Sequence, residues 1–377
     1  MRKVMFVTGT RADFGKLKPL VRAVQSEPNL NYAIFVTGMH LLSRYGFTVE
    51  EVNAAGFHNV YSFMNHVLGE PMEVILANTV QGLSRYVQEY SPDVLVVHGD
   101  RVEALAGAIV GALRNVHVAH VEGGEMSGTI DELIRHATSK MSHMHFVANE
   151  DARNLLVRMG EQPESVFPIG SPDIDVMLSP DLPSLQEAQA RYAIGFDSYD
   201  ILAFHPVTTE LPELAQHAAA VVDALMDSGH NAVVIYPNND AGSEVIFDAY
   251  KRFEGNPRFR VFPSVRFEYF LALLKHASLM LGNSSAGIRE APVYGVPTVN
   301  VGTRQRNRFS APSIINVAPS RDAILAALRD AAQRPRACAS QHFGAGDSAR
   351  QFLEVLRSDA FWRLPKQKSF FGAAGAQ

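Results

Sequence analysis

The sequence predicts an α/β protein built from two doubly wound, mostly parallel sheets. Three observations carry that expectation. Short apolar runs alternate with helical segments up to residue 160, the alternation restarts near residue 200, and a proline-bearing stretch separates the two series. Such alternation gives a parallel sheet covered on both faces, and a chain of 377 residues has room for two domains. The expected organisation is 1–170 for the first domain, 171–198 for a crossover, 199–360 for the second domain and 361–377 for a frayed tail.

Composition narrows the function classes. The chain is 47% apolar and 19% charged, with 27 glycines, as in globular proteins. Net charge is −5 and no run of Lys or Arg exceeds two residues, which argues against nucleic acid or an anionic membrane as the partner. No apolar run approaches membrane-spanning length. The apolar part of Met1-Arg2-Lys3-Val4-Met5-Phe6-Val7 is too short for a signal peptide and suits a first strand. Cys338 is the only cysteine, so neither a disulfide nor a cysteine metal cluster is expected, and a reducing cytoplasmic location fits.

Val4–Val7 reads as the first strand, Gly9–Lys16 as its loop and Leu17–Val24 as the start of a helix. The loop is no P-loop: five residues separate Gly9 from Gly15, and Leu17 stands where Ser or Thr is required. A glycine loop opening a helix can hold a phosphate through backbone N–H groups, with Arg11 adding a charged contact; a plain βα turn accounts for it equally well. Tyr32–Val36 is the second strand, followed by Thr37-Gly38-Met39-His40. Pro71 suits the first turn of a helix reaching about Tyr90.

The segment Asp93–His136 carries most of the chemistry. The run Val94–Val97 delivers His98-Gly99-Asp100-Arg101, a small-residue helix follows over Glu103–Leu113, and the run Val116–Val121 delivers Glu122-Gly123-Gly124-Glu125. Asp131 and Arg135-His136 come next, on a loop or first helical turn. A βαβ unit sets neighbouring strand ends side by side, at the edge where open α/β sheets bind ligands. Asp100, Glu122 and Asp131 around that edge are suited to acid–base work; each could instead be a helix cap. Met144–Ala148 is a strand and Asp151–Met159 a helix.

Pro172, Pro180 and Pro183 mark the crossover. Its pair Asp173-x-Asp175 resembles a metal-holding carboxylate pair, but with no nearby histidine it reads as structural. The second series has strands at Ile201–Phe204, Ala232–Tyr236, Phe259–Phe262, Leu279–Leu281 and Pro297–Val301. Helices fall at Leu214–Met226, Phe267–Leu274, Ser320–Ala332 and Ala349–Ser358. Two such domains suggest an enzyme closing on a ligand between facing sheet edges. Gly282-Asn283-Ser284-Ser285-Ala286-Gly287 is small enough for close ligand approach, and Ser284 and Ser285 fall at an expected helix start, a phosphate seat. Glu290, further into that helix, could accept ribose hydroxyls, or be a surface acid. His205 ends a strand before Pro206 and could donate to a phosphate or sugar oxygen.

The motifs Gly9–Leu17, His98–Arg101, Glu122–Glu125, His205–Glu210, Gly282–Glu290 and Gly302–Arg304, in this order, resemble the hydrolysing UDP-N-acetylglucosamine 2-epimerases. The likeness is greatest to the bacterial enzymes that begin sialic acid synthesis. It spans residues 1 to about 310. The resemblance implies two Rossmann-like domains of the glycosyltransferase B type, with UDP held mainly by the second. It implies Asp100, Glu122 and Asp131 as catalytic acids. Arg11, Arg101, His205, Asn239, Ser284, Ser285, Glu290 and Arg304 match or lie near nucleotide-contacting positions, with Asn238 competing with Asn239. His205-Pro206-Val207 departs from the non-hydrolysing pattern. A homodimer or homotetramer is implied.

The chemistry accommodates these residues. Expelling UDP from C1 builds oxocarbenium character that acidifies the C2 proton. Its loss gives 2-acetamidoglucal, and water then adds at C1 while C2 is protonated from the opposite face. N-acetylmannosamine and UDP result, with no metal or nicotinamide required. Asp100, Glu122 and Asp131 are expected to share proton removal, charge stabilisation and the protonation or orientation of water. Rivals are the same chemistry on UDP-2,4-diacetamido-2,4,6-trideoxyglucose, a non-hydrolysing epimerase, a glycosyltransferase and a non-catalytic nucleotide-sugar sensor.

Overall fold

The computed structural model describes residues 1–126 and 130–372; residues 373–377 of the expected tail lie outside the described residues. The chain divides into two compact units. The first holds Met1–Glu125, Asp131–Ser179 and the stretch from His342, and the second holds Pro180–Gln341.

The first unit is a seven-stranded sheet. Its strands are β1 (Arg2–Thr8), β2 (Leu30–Val36), β3 (Val60–Ser62), β4 (Val94–His98), β5 (His117–Val121), β6 (Met144–Val147) and β7 (Val166–Pro168). They run parallel in the order β3-β2-β1-β4-β5-β6-β7. Strand alternation feeds two cores: Val4, Phe6, Val94 and Val96 face one side, and Met5, Val7, Leu95 and Val97 the other. That is why the strands read as continuous apolar runs. Strand order reverses between β1 and β4, and ligands bind outside the carboxyl ends of strands at such a switch point.

The second unit repeats the plan with six strands. They are β8 (Asp200–Ala203), β9 (Ala232–Ile235), β10 (Phe259–Phe262), β11 (Met280–Gly282), β12 (Thr298–Val301) and β13 (Ile314–Val317). The order is β10-β9-β8-β11-β12-β13, again parallel, with the reversal between β8 and β11. Among the described residues no helix is long and apolar enough to cross a membrane.

The crossover stretch contains helices Pro172–Met177 and Leu185–Tyr192. The C-terminal stretch packs on the first unit rather than extending the second domain or fraying. Phe352 on helix Ser348–Arg357 is fully buried, its ring 4.6 Å from that of Phe146, and Phe361 is buried in the same core. Beyond Trp362, the Lys368 ammonium donates to the Ser139 carbonyl at 3.0 Å and the Phe371 N–H donates to the Gly160 carbonyl at 2.7 Å.

Candidate active site

The first site grows from the ends of β1, β4 and β5. Helix Arg11–Gln25 starts earlier than the sequence suggested, because Thr10 and Asp13 form a capping box. The Asp13 carboxylate accepts the N–H groups of Gly9 at 3.0 Å and Thr10 at 3.2 Å, so these two are not available to cradle a phosphate. Burial holds the Asp13 carboxyl above its ordinary range in spite of those bonds. Gly15 and Lys16 fall inside the helix. Arg11 opens it, its guanidinium paired with Glu51.

β4 delivers His98, Gly99, Asp100 and Arg101, and β5 supports them. His120 on β5 bonds the Gly99 carbonyl through Nε2 at 2.8 Å and Ser139 through Nδ1 at 3.0 Å. Burial pushes this imidazole down to about 3, so at neutral pH its Nε2–H donates to Gly99. The consequence for stability has a definite sign. From the ordinary pKa of 6.5 down to about 3, the unfolded chain binds a proton that the native ring refuses. Stability is therefore full above that window and falls as pH drops through it, by up to about 1.4 kcal/mol per pH unit. His40, pushed down to about 3 chiefly by burial, acts in the same sense. Urea midpoints measured between pH 7 and 4 should fall, and His120→Gln should make the decline shallower by about one proton.

Glu122 follows β5 in the left-handed region, with φ of +61°. Non-glycine residues rarely adopt it, at a cost of roughly 1–3 kcal/mol, and it marks functional sites. The residue is 4% exposed. His98 Nε2 lies 3.1 Å from its Oε2, Lys16 Nζ lies 3.7 Å from the same atom, and the Ser171 hydroxyl donates to Oε1. Asp173, fully buried, lies 3.1 Å from Lys16.

Arg135 ties the predicted acids together. Its buried guanidinium donates to the Glu122 carbonyl at 2.6 Å and to the Asp100 carboxylate. Asp131, half-buried, stands four residues earlier on helix Ile130–Met141, on the same face as Arg135. The structure thus brings Asp100 and Glu122 to one guanidinium and puts Asp131 one turn away. Arg101 stands at the N-cap position of helix Val102–Leu113, with Nε 3.6 Å from the buried carboxylate of Glu103. Sequence reasoning missed Lys16, His98 and Ser171 as parts of this cluster, and assigned Asp173 to a linker. The one usable signal was His98, at a strand end beside Asp100.

The second site lies at the ends of β8 and β11. Gly282 has φ of +127°, and a Cβ there would meet the Ala203 carbonyl oxygen at 2.1 Å, so only glycine lets β11 pass β8 this closely. Asn283 then pairs with the other strand end: its Oδ1 accepts the His205 N–H at 2.7 Å and its Nδ2 donates to the His205 carbonyl at 2.9 Å. The Asn283 carbonyl accepts from Gln305 at 2.9 Å and from Arg304 at 3.4 Å. His205 Nδ1 accepts the Asn238 backbone N–H at 3.0 Å, which puts the proton of the neutral ring on Nε2.

The expected helix start at Ser284 and Ser285 is a 3₁₀ turn over Ser285–Gly287, followed by the four-residue helix Glu290–Val293. Ser284 caps the turn, accepting the Ala286 N–H at 3.3 Å. Ser284 and Ser285 are half-buried, whereas Glu290 is 3% exposed. Asn239 is half-buried beside Asn238; the bond to His205 is made by Asn238. Asn283, quoted in a motif but not picked as a site residue, is the hub that joins His205 to Arg304.

The model of a family described as UDP-N-acetylglucosamine 2-epimerase matches residues 22–357. The chain is 48% identical to a UDP-N-acetylglucosamine 2-epimerase of Neisseria meningitidis over 373 residues, 98% of this chain and 99% of that one. It is 34% identical to a hydrolysing UDP-N,N'-diacetylbacillosamine 2-epimerase of Legionella pneumophila over 364 residues, 95% and 96% of the two chains. The glycosyltransferase B type fold is shared with the UDP-GlcNAc 2-epimerase of Methanocaldococcus jannaschii, solved with UDP-GlcNAc and UDP. That likeness has a TM-score of 0.80 at 22% identity, covering 94% of this chain and 99% of the other. The chain therefore belongs to the UDP-N-acetylglucosamine 2-epimerase family.

Proposed function

We propose that the protein is a hydrolysing UDP-N-acetylglucosamine 2-epimerase. It would convert UDP-N-acetylglucosamine and water to N-acetylmannosamine and UDP in the cytoplasm, as the first step of sialic acid synthesis and as a homo-oligomer. The observation that carries this reading is the convergence of the Asp100 carboxylate and the Glu122 backbone carbonyl on Arg135, with Asp131 one turn away. Elimination of UDP needs a base for the C2 proton. Hydration of the glucal needs an acid for C2 and a group to orient water at C1. Asp100, Glu122 and Asp131 share these roles in the proposal. In the second unit, His205 donates through Nε2–H, Arg304 supplies charge, and Ser284 and Ser285 supply hydroxyls to the diphosphate, while Asn239 and Glu290 serve the nucleoside. Arg11 and Arg101 are further UDP-binding residues in the proposal. None of these roles calls for a metal or nicotinamide.

The name of the Legionella relative favours a second reading, in which the sugar is the 2,4-diacetamido-2,4,6-trideoxy compound. Measuring UDP release from both sugar nucleotides separates the two. A site that hydrogen-bonds the sugar hydroxyls should prefer UDP-N-acetylglucosamine by about 10²-fold or more in kcat/KM. The opposite preference would transfer the assignment to the diacetamido sugar.

A further inference from the structure

The crossover helix carries two carboxylates outside the three acids considered so far. Asp175 has a structural explanation: it accepts the N–H groups of Ser348 and Ala349 at 2.9 and 2.8 Å and so caps helix Ser348–Arg357. Asp173 is different. It is fully buried and lies 3.1 Å from the Lys16 ammonium. That ammonium is shared, because Glu122 Oε2 is 3.7 Å away on its other side. Ser171, two residues earlier and also fully buried, donates to Glu122 Oε1. One short stretch therefore reaches Glu122 twice, by a hydroxyl and through an ammonium.

We propose that Ser171 and Asp173 are positioning residues for Glu122. Ser171 fixes Oε1 and turns Oε2 toward His98, and Asp173 draws the Lys16 charge away so that Glu122 keeps its basicity. This rests on the reading of Glu122 as a group that handles a proton of the reaction. The physical ground is charge balance in a buried site. A buried carboxylate matched one-to-one with a fixed ammonium is a stable anion and a weak base; a second carboxylate on the same ammonium restores its proton affinity. Among the groups facing the Glu122 carboxylate are His98 after β4, Lys16 on helix Arg11–Gln25 and Ser171 and Asp173 on the crossover, while Arg135 on helix Ile130–Met141, itself paired with Asp100, bonds the Glu122 backbone carbonyl. Asp13, in the first turn of helix Arg11–Gln25, is within electrostatic reach of His98.

The two contacts predict opposite shifts. Asp173→Asn removes a carboxylate that shares the Lys16 ammonium with Glu122 and so stabilises the Glu122 anion. Ser171→Ala removes a hydrogen bond that favours the anion and destabilises it. UDP release from UDP-N-acetylglucosamine is measured across pH for the full-length enzyme and for Asp173→Asn, Ser171→Ala and Glu122→Gln. UDP affinity is measured by titration calorimetry, and thermal melting checks folding. Asp173→Asn should lower kcat about tenfold or more with KM and UDP affinity within about twofold, and move the pH–rate limb down by about half a unit or more. Ser171→Ala should move the same limb up. If Asp173→Asn does not fold, Ser171→Ala carries the test alone. Wild-type kcat and an unmoved limb in a folded variant overturn the proposal. An active Glu122→Gln overturns instead the reading on which it rests, whereas an inactive Glu122→Gln beside an unaltered Asp173→Asn overturns the positioning role only.

Discussion

Glu122→Gln is expected to lower kcat for UDP release by about 10³-fold, with KM changed by less than about threefold. The substitution keeps shape and removes only the charge and the proton-accepting oxygen. The site invests heavily in that carboxylate. It stands on a left-handed backbone with φ of +61°, out of solvent, with His98 3.1 Å away and Lys16 3.7 Å away. The desolvated setting makes a lost charge expensive, because no water can substitute for it. Asp100→Asn and Asp131→Asn should fall in the same direction. Initial rates of UDP release check this, and wild-type turnover in Glu122→Gln would remove Glu122 from the chemistry.

Arg135→Met should be the most damaging single change to stability, by about 3–5 kcal/mol, because it strips the fixed donors from one carboxylate and one buried carbonyl at once. Both Asp100 and the Glu122 carbonyl lean on the guanidinium of Arg135, a residue 2% exposed. Arg135→Lys restores the charge but not the fork that spans two acceptors, so it should recover only part of the loss. Urea denaturation measures the stability, and an Arg135–Asp100 double-mutant cycle should show coupling of about 1–3 kcal/mol. Additive effects would mean that the pair does not act as a unit. Activity should fall with the scaffold, since Asp100 and Glu122 lose their common reference.

The long strands were legible because both faces of each sheet are covered, which writes them as apolar runs such as Val94–Val97 and Val4–Val7. Strands β3, β7 and β13 were not, being three or four residues long and largely half-buried or exposed, too short to show a period. The start of helix Arg11–Gln25 was obscured by Gly9 and Gly15, which suggested a loop, while Thr10-x-x-Asp13 was the cap signal that should have outweighed them. Asp100 and Glu122 could be placed at one sheet edge because they follow the ends of neighbouring parallel strands. The partnership of Lys16 with Asp173 could not, because it arises where helix Arg11–Gln25 meets the crossover helix, a long-range contact with no local pattern. Asn283 was hidden for a similar reason: its amide bonds the backbone of a different strand end.

Proton NMR of the purified enzyme with UDP-N-acetylglucosamine in heavy water tests the central claim most directly. Elimination and hydration predict free N-acetylmannosamine carrying deuterium at C2, together with UDP. UDP-N-acetylmannosamine accumulating with its C1–O bond intact would contradict the hydrolysing assignment, and N-acetylmannosamine that retained protium at C2 would contradict the elimination route.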